Sequence, residues 1–152
     1  MELEEIKKQL RSPIWKKKFN LKRQDELGQF FTPYWISQKL HYINQEVFIN
    51  SKKTVIDPAG CGIGDLLVEV LIKRLENKIN YSDAISTIFG VDIDQNAIEI
   101  CRERLLCGQE HLRSIVERNI VCADALRYHF RFDGTDPYKT KQDLHIERLF
   151  SE

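Results

Sequence analysis

Residues 54–71 read TVIDPAGCGIGDLLVEVL, and the parsing of this stretch decides the fold. A β-branched run at 54–58 stops at a proline, and a turn containing Gly60, Gly62 and Gly64 follows. Residues 65–79 then carry Leu66, Leu67, Val70, Leu71 and Leu75 at helical spacing. The stretch is a strand, a glycine turn and a helix. Two more strands are expected, in "STIFGVDID" at 86–94 and "IVCADAL" at 120–126. Between them lies the helix "QNAIEICRERLLCG", capped by Asp94 and ended by Gly108. Strands alternating with helices predict βαβ units, hence an α/β fold with a parallel sheet and right-handed crossovers.

The composition of the turn narrows its ligand. A triphosphate-binding loop requires a Gly-Lys-Ser/Thr ending, whereas this turn ends Gly64-Asp65. The three glycines alternate, which departs from the Gly-x-Gly-x-x-Gly of dinucleotide sites and leaves a nicotinamide-dependent oxidoreductase supported only by the general βαβ pattern. A pyrophosphate beside Asp57 and Asp65 would meet carboxylates where it needs N–H donors. The charge favours a cationic ligand, and S-adenosylmethionine, with an ammonium and a sulfonium and no phosphate, answers that description. Asp57 at the end of the first strand is placed to bind the ammonium. Asp92 at the end of the second is placed to meet the ribose hydroxyls, and Asp124 after the third to accept from the adenine amino group. Each acid taken singly also suits a turn or a helix cap; three acids closing three successive strands favour a site. Asp65 and Asp94 are read as caps.

The chain has 152 residues, 42% of them hydrophobic and 30% charged, which suits a single folded domain. Lysine plus arginine equals aspartate plus glutamate at 23 each, so any nucleic-acid contact must be local. Cys61, Cys101, Cys107 and Cys122 lack Cys-x-x-Cys spacing, and His41, His111, His129 and His145 are isolated, so no metal site is assigned. Reduced thiols, no apolar run of about 20 residues and no secretory leader lead to the expectation of a cytoplasmic protein. Three parts are expected: an N-terminal helical and basic segment at 1–27, a cofactor-binding domain at 28–132 and a charged tail at 133–152. In the first, Leu3, Ile6 and Leu10 form the stripe of a peripheral helix, and "PIWKKKFNLKR" reads either as a solvated helix face or as a phosphate grip. "GQFFTP" at 28–33 is a loop, with Thr32 a cap and Pro33 the first turn of a helix over 33–49. Trp35, Ile36, Leu40, Ile43 and Val47 line one side of that helix.

On these stretches the chain resembles the DNA adenine methyltransferases of restriction-modification systems that modify the exocyclic amino group. "GQFFTP" looks like their motif X, "VIDPAGCGIGDLL" like motif I, "FGVDIDQNAIEICRERL" like motif II and "CADAL" like motif III, in the gamma order. The resemblance implies a Rossmann-like S-adenosylmethionine-dependent fold. It also implies cofactor contacts from Phe30, Phe31, Thr32 and Pro33, a hold on the methionine part by Asp57, Pro58, Ala59, Gly60, Gly62 and Gly64, the ribose on Asp92 with Ile93 beside it, and the adenine on Asp124 with Ala125. "DPAGCGIG" is one residue longer than the usual motif I.

The Asn/Asp-Pro-Pro-Tyr/Phe motif that holds a flipped adenine in this family is not matched, because the sequence contains no Pro-Pro. The nearest string is Asp136-Pro137-Tyr138, in a turn composition. No catalytic residue is therefore assigned, and the expectation is a partial methyltransferase domain carrying the cofactor-side strands, inactive alone. Such a domain leaves the first strand with an open edge, which invites pairing. "YHFRF" at 128–132 alternates at strand spacing and is a candidate to cover that edge or to pair between two copies. A homodimer, or a chain supplying the catalytic half, is the expected partner, with DNA reached only through the complete enzyme. The alternative is a non-catalytic cofactor-binding or interaction subunit that pairs with another methyltransferase chain.

Overall fold

A computed structural model describes residues 2–19, 32–37, 39, 45–149 and 151. Among the described residues four helices lead in: α1 (Leu3–Leu10), α2 (Ile14–Lys18), α3 (Tyr34–Ser37) and α4 (Glu46–Ile49). They are followed by β1 (Val55–Asp57), α5 (Asp65–Glu76), α6 (Tyr81–Ser86), β2 (Ile88–Asp92) and α7 (Gln95–Leu106). After a 3-10 turn come α8 (Arg113–Asn119), β3 (Ile120–Cys122) and α9 (Lys141–Leu149). The protein is an α/β fold with three parallel strands in the order β1-β2-β3, as the alternation of elements predicts. Val55 stands opposite Ile88, Asp57 opposite Gly90 and Asp92 opposite Cys122. All three strands therefore end at one side of the sheet.

The two sheet faces differ sharply in cover. Val55, Ile88, Ile120 and Cys122 face the main core with Leu67, Leu71, Ile98 and Leu105 of α5 and α7. Ile56, Phe89, Val91 and Val121 alternate with these residues and so face the other way. Among the described residues this second face meets mainly the 128–132 segment, where Phe132 stacks on Phe89 with centroids 4.7 Å apart. Ile56 is left 41% exposed. Contrary to its alternating pattern, "YHFRF" is no strand: Phe130 and Phe132 take positive φ of 50° and 51°, and the Phe132 N–H donates to the Tyr128 hydroxyl. The segment is a tight aromatic loop laid on a face, and among the described residues it pairs with no strand edge.

Helix α1 shows the expected stripe, but Leu10 is fully buried and Ile6 nearly so within the main core, so this helix is not peripheral. The aromatic residues of the basic segment also point inward: Phe19 is buried beside Ile63, Ala97 and Ile100, and Trp15 packs against them. The Lys18 ammonium covers the Trp15 ring at 4.6 Å, so the solvated-face reading fits this segment better than base stacking. Within the expected 33–49 helix the described residues show two short helices, α3 and α4. Pro33 supplies the first carbonyl, accepting from the Ile36 and Ser37 N–H groups. Ile36 is 41% exposed and so does not face inward, Val47 packs on the core, and Leu40 and Ile43 lie outside the described residues.

Buried charge fastens these layers. The fully buried Arg74 donates to the carbonyls of Val47, Ala84 and Lys53 and to the Thr87 hydroxyl. Arg104 donates to Leu10 O at 2.6 Å, to Ile63 O at 3.1 Å and to Asp65 Oδ1 at 2.7 Å. Arg11 forks onto the buried Glu69 through two bonds of 2.9 and 2.7 Å. No helix among the described residues is long and apolar enough to cross a membrane.

Candidate functional site

Beyond β1 the chain doubles back onto the tip of β2. The N–H groups of Gly60 and Cys61 both donate to Val91 O, at 2.9 and 3.0 Å. That path requires left-handed backbone at Gly60, Gly62 and Gly64, with φ of 97°, 55° and 83°, where a side chain is strained. The glycines then divide in role. A Cβ at Gly64 would lie 2.7 Å from Cys101 Sγ on α7, whereas a Cβ at Gly62 would meet nothing within 4 Å. The middle of the turn is thus open on the side where Gly64 is closed. Gly64 stands at the N-cap position of α5 and Asp65 follows as its first residue. Asp65, expected as a cap, instead spends its carboxylate on Arg104.

Asp92 is the hub of the tips. It is 2% exposed; its Oδ2 accepts from Gly62 N–H and its Oδ1 from Asp94 N–H, both at 2.8 Å. Its carbonyl accepts from Ala123 N–H at 2.9 Å, which fastens the end of β3 to the end of β2. Asp94 does cap α7, its Oδ1 accepting from the N–H groups of Asn96 and Ala97. One residue on, half-buried Asp124 turns the chain: its Oδ1 accepts from Leu126 N–H, and its own N–H donates to the Tyr138 hydroxyl, both at 2.9 Å. Ala125 packs with Val91, Ala123 and Tyr128, and Ile93 stands 61% exposed beside Asp92.

Asp57 is half-buried at the mouth of the turn, and its carboxyl is held above the ordinary carboxylate range, first by burial and then by the negative charge of Asp92. Two acids therefore crowd the glycine turn, and a cation between them would relieve both causes. The thiol of Cys61, buried beneath Gly90, is pushed up by neighbouring Cys101 and by burial, so it stays protonated and serves as packing. Among the described residues no group of three or more His, Cys, Asp or Glu is placed to hold a metal ion.

The acids named from the sequence thus sit at adjoining strand tips, with Pro58 and Ala59 exposed at the start of the turn. Thr32 is half-buried and Pro33 exposed at the start of α3, which packs on α5; Phe30 and Phe31 lie outside the described residues. Three contributors were not legible beforehand. Gly90 in β2 leaves room for Cys61 Sγ, which would be 3.0 Å from a Cβ there. Arg104 holds Asp65, and Tyr138 reaches the tip of β3. The signal for Gly90 was present, as a glycine inside a strand marks close approach.

The family described as N-6 DNA Methylase matches residues 16–131 of the chain. The type II methyltransferase M.VspI of Vibrio sp. (strain 343) is 31% identical over 125 residues, or 80% of this chain and 26% of that protein. The chain spans about a quarter of the length of the curated relative it matches. No solved structure matches it.

Proposed function

The chain belongs to the N-6 DNA methylase family, and from that premise we propose that it is the S-adenosylmethionine-binding part of a DNA adenine-N6 methyltransferase of a restriction-modification system. The observation that carries the proposal is the pairing of an open glycine turn with two crowded carboxylates, Asp57 and Asp92. Asp57 would hold the methionyl ammonium, and the open side of Gly60 and Gly62 would admit the methionine backbone. Asp92, at the tip of β2 beside the turn, would meet the ribose hydroxyls. Asp124 would take the adenine amino group, with Ile93 and Ala125 as apolar neighbours, and the 28–33 loop, including Phe30 and Phe31, would cover the ligand. When bound, the cofactor supplies an electrophilic methyl group. Transfer to a flipped adenine belongs, in this reading, to the complete protein, whose base-side motif these residues do not include.

The exposure of Ile56 on the second face of the sheet and, among the described residues, the unpaired outer edge of β1 support a covering partner, either the catalytic half of the same enzyme or another methyltransferase chain. Ile56, Pro58, Phe89, Phe130 and Phe132 line an open groove of about 490 Å³ there. A stable monomer in light scattering, unaltered by addition of a catalytic-half chain, would contradict this.

Isothermal titration of the chain with S-adenosylmethionine is the direct test. Binding is expected in the wild type and a loss of tenfold or more in Asp57→Asn, since a charge-assisted bond is worth roughly 1.5–3 kcal/mol. Equal affinities would remove Asp57 from the site. The pH dependence has a defined sign. Because the folded pKa of Asp57 is raised, the carboxylate needed by an ammonium is lost as pH falls through that raised value, so affinity should decline toward acid in the wild type and much less in Asp57→Asn. Without ligand the sign reverses: charging Asp57 destabilises the fold as pH rises from the ordinary carboxylate range through the raised value. Asp57→Asn should therefore raise the thermal midpoint of the unliganded chain at neutral pH while weakening the cofactor complex.

A further inference from the structure

The 133–139 segment does more than connect β3 to α9. Asp133 and Asp136 set its bends, accepting from the N–H groups of Thr135 and Tyr138. Arg131 gathers the loop from inside, donating to the carbonyls of Asp136 and Lys139 and to the Thr135 hydroxyl. His129 N–H donates to Pro137 O at 3.3 Å. This brace brings Tyr138 back to the strand tip, where its oxygen accepts the Asp124 N–H at 2.9 Å and the Arg127 guanidinium lies 4.7 Å from its ring centroid. A phenol has one proton to donate besides the lone pairs it offers. Here the lone pair is used, and among the described residues no acceptor takes the proton. The neighbouring carboxylate is in a matching state: Asp124 Oδ1 is occupied by Leu126 N–H, and nothing described donates to Oδ2.

Among the described residues, an acceptor without a donor and a donor without an acceptor thus belong to two residues already bonded to one another, the carboxylate oxygen of Asp124 and the phenolic O–H of Tyr138. An aminopurine edge carries the complementary pair, an amino donor flanked by a ring-nitrogen acceptor. We propose that Tyr138 is a base-reading residue of the cofactor site, donating its hydroxyl proton to the ring nitrogen beside the adenine amino group while Asp124 accepts from that amino group. The inference rests on the cofactor reading above and adds a second point of recognition to it. A hypoxanthine edge would meet the carboxylate in the wrong sense through its oxygen and, where N1 is the accepting nitrogen, would meet the phenol's donor with its ring N–H as well. The "DPY" string thus serves the cofactor's base rather than the target base.

The test is titration of wild-type chain, Tyr138→Phe and Asp124→Asn with S-adenosylmethionine, its hypoxanthine counterpart and its 1-deaza and 7-deaza analogues, alongside thermal midpoints. Tyr138→Phe is expected to bind S-adenosylmethionine about five- to tenfold more weakly, the size of one neutral hydrogen bond. That penalty should vanish with whichever deaza analogue lacks the accepting nitrogen, and preference over the hypoxanthine form should shrink in Asp124→Asn, and in Tyr138→Phe too if that nitrogen is N1. Unchanged affinity in Tyr138→Phe, or an equal loss for all four ligands, would overturn the proposal and leave the tyrosine as an anchor of the turn. Wild-type chain that binds none of the ligands would overturn the cofactor reading itself.

Discussion

Replacing Arg74 with methionine should destabilise the fold by about 3–5 kcal/mol, because several acceptors are stranded together at roughly 1–3 kcal/mol each. The methionine fills most of the volume, so the loss falls on the four acceptors it strands. Val47 O, Lys53 O, Ala84 O and the Thr87 hydroxyl all converge on the guanidinium from separate segments. Each polar group stranded in a dry interior costs roughly 1–3 kcal/mol. Arg74→Lys should fall in between, because an ammonium has three donors and no planar fork. Urea denaturation of the three proteins measures this directly. A methionine variant within about 1 kcal/mol of wild type would mean that water reaches these carbonyls.

Gly64→Ala should cost about 2–5 kcal/mol, from two sources that can be separated. Left-handed backbone at a residue with a side chain contributes roughly 1–2 kcal/mol, and overpacking a close contact contributes about 1–3 kcal/mol. The close contact is with Cys101 Sγ, 2.7 Å from the added carbon, while Cys101 Cβ lies at an ordinary 3.8 Å. In a Cys101→Ala background the packing part should disappear and the backbone part remain, a double-mutant coupling of about 1–3 kcal/mol. Equal cost in both backgrounds would show that α7 shifts to accommodate the methyl group. The same substitution should also weaken cofactor binding, since Gly64 ends the turn whose N–H groups are held by Val91 and Asp92.

How far the sequence carried this picture depends on whether the deciding interactions are local. The strand, turn and helix of 54–76 were legible because left-handed backbone leaves a written trace in glycine, and the three acids because parallel strands bring their ends to one side. Asp94 as a cap was legible from its place before an apolar-periodic run. Arg74, Arg104 and Glu69 were not, since a charged residue on a helix is ordinarily solvent-facing. Their burial follows only once the neighbouring segments supply carbonyls or counter-charges. Alternation misled at 128–132, where positive φ at Phe130 and Phe132 turns a strand-like pattern into a loop. Asp65 was misassigned because an acid at a helix start satisfies either the backbone or a distant cation, and Arg104 lies 39 positions away.

The Arg104 guanidinium has a consequence for the order in which the molecule can assemble. Its partners are Leu10 O, 94 positions away, and Ile63 O and Asp65 at the glycine turn, so one dehydrated cation waits on two distant segments of chain. Contacts of such long sequence separation are closed late and slowly, because loop-closure entropy precedes the reward. The turn should accordingly mature in the last stage of folding, and only after the first helix has docked. Competence for ligand would then arrive as a single event, with no earlier species able to grip it.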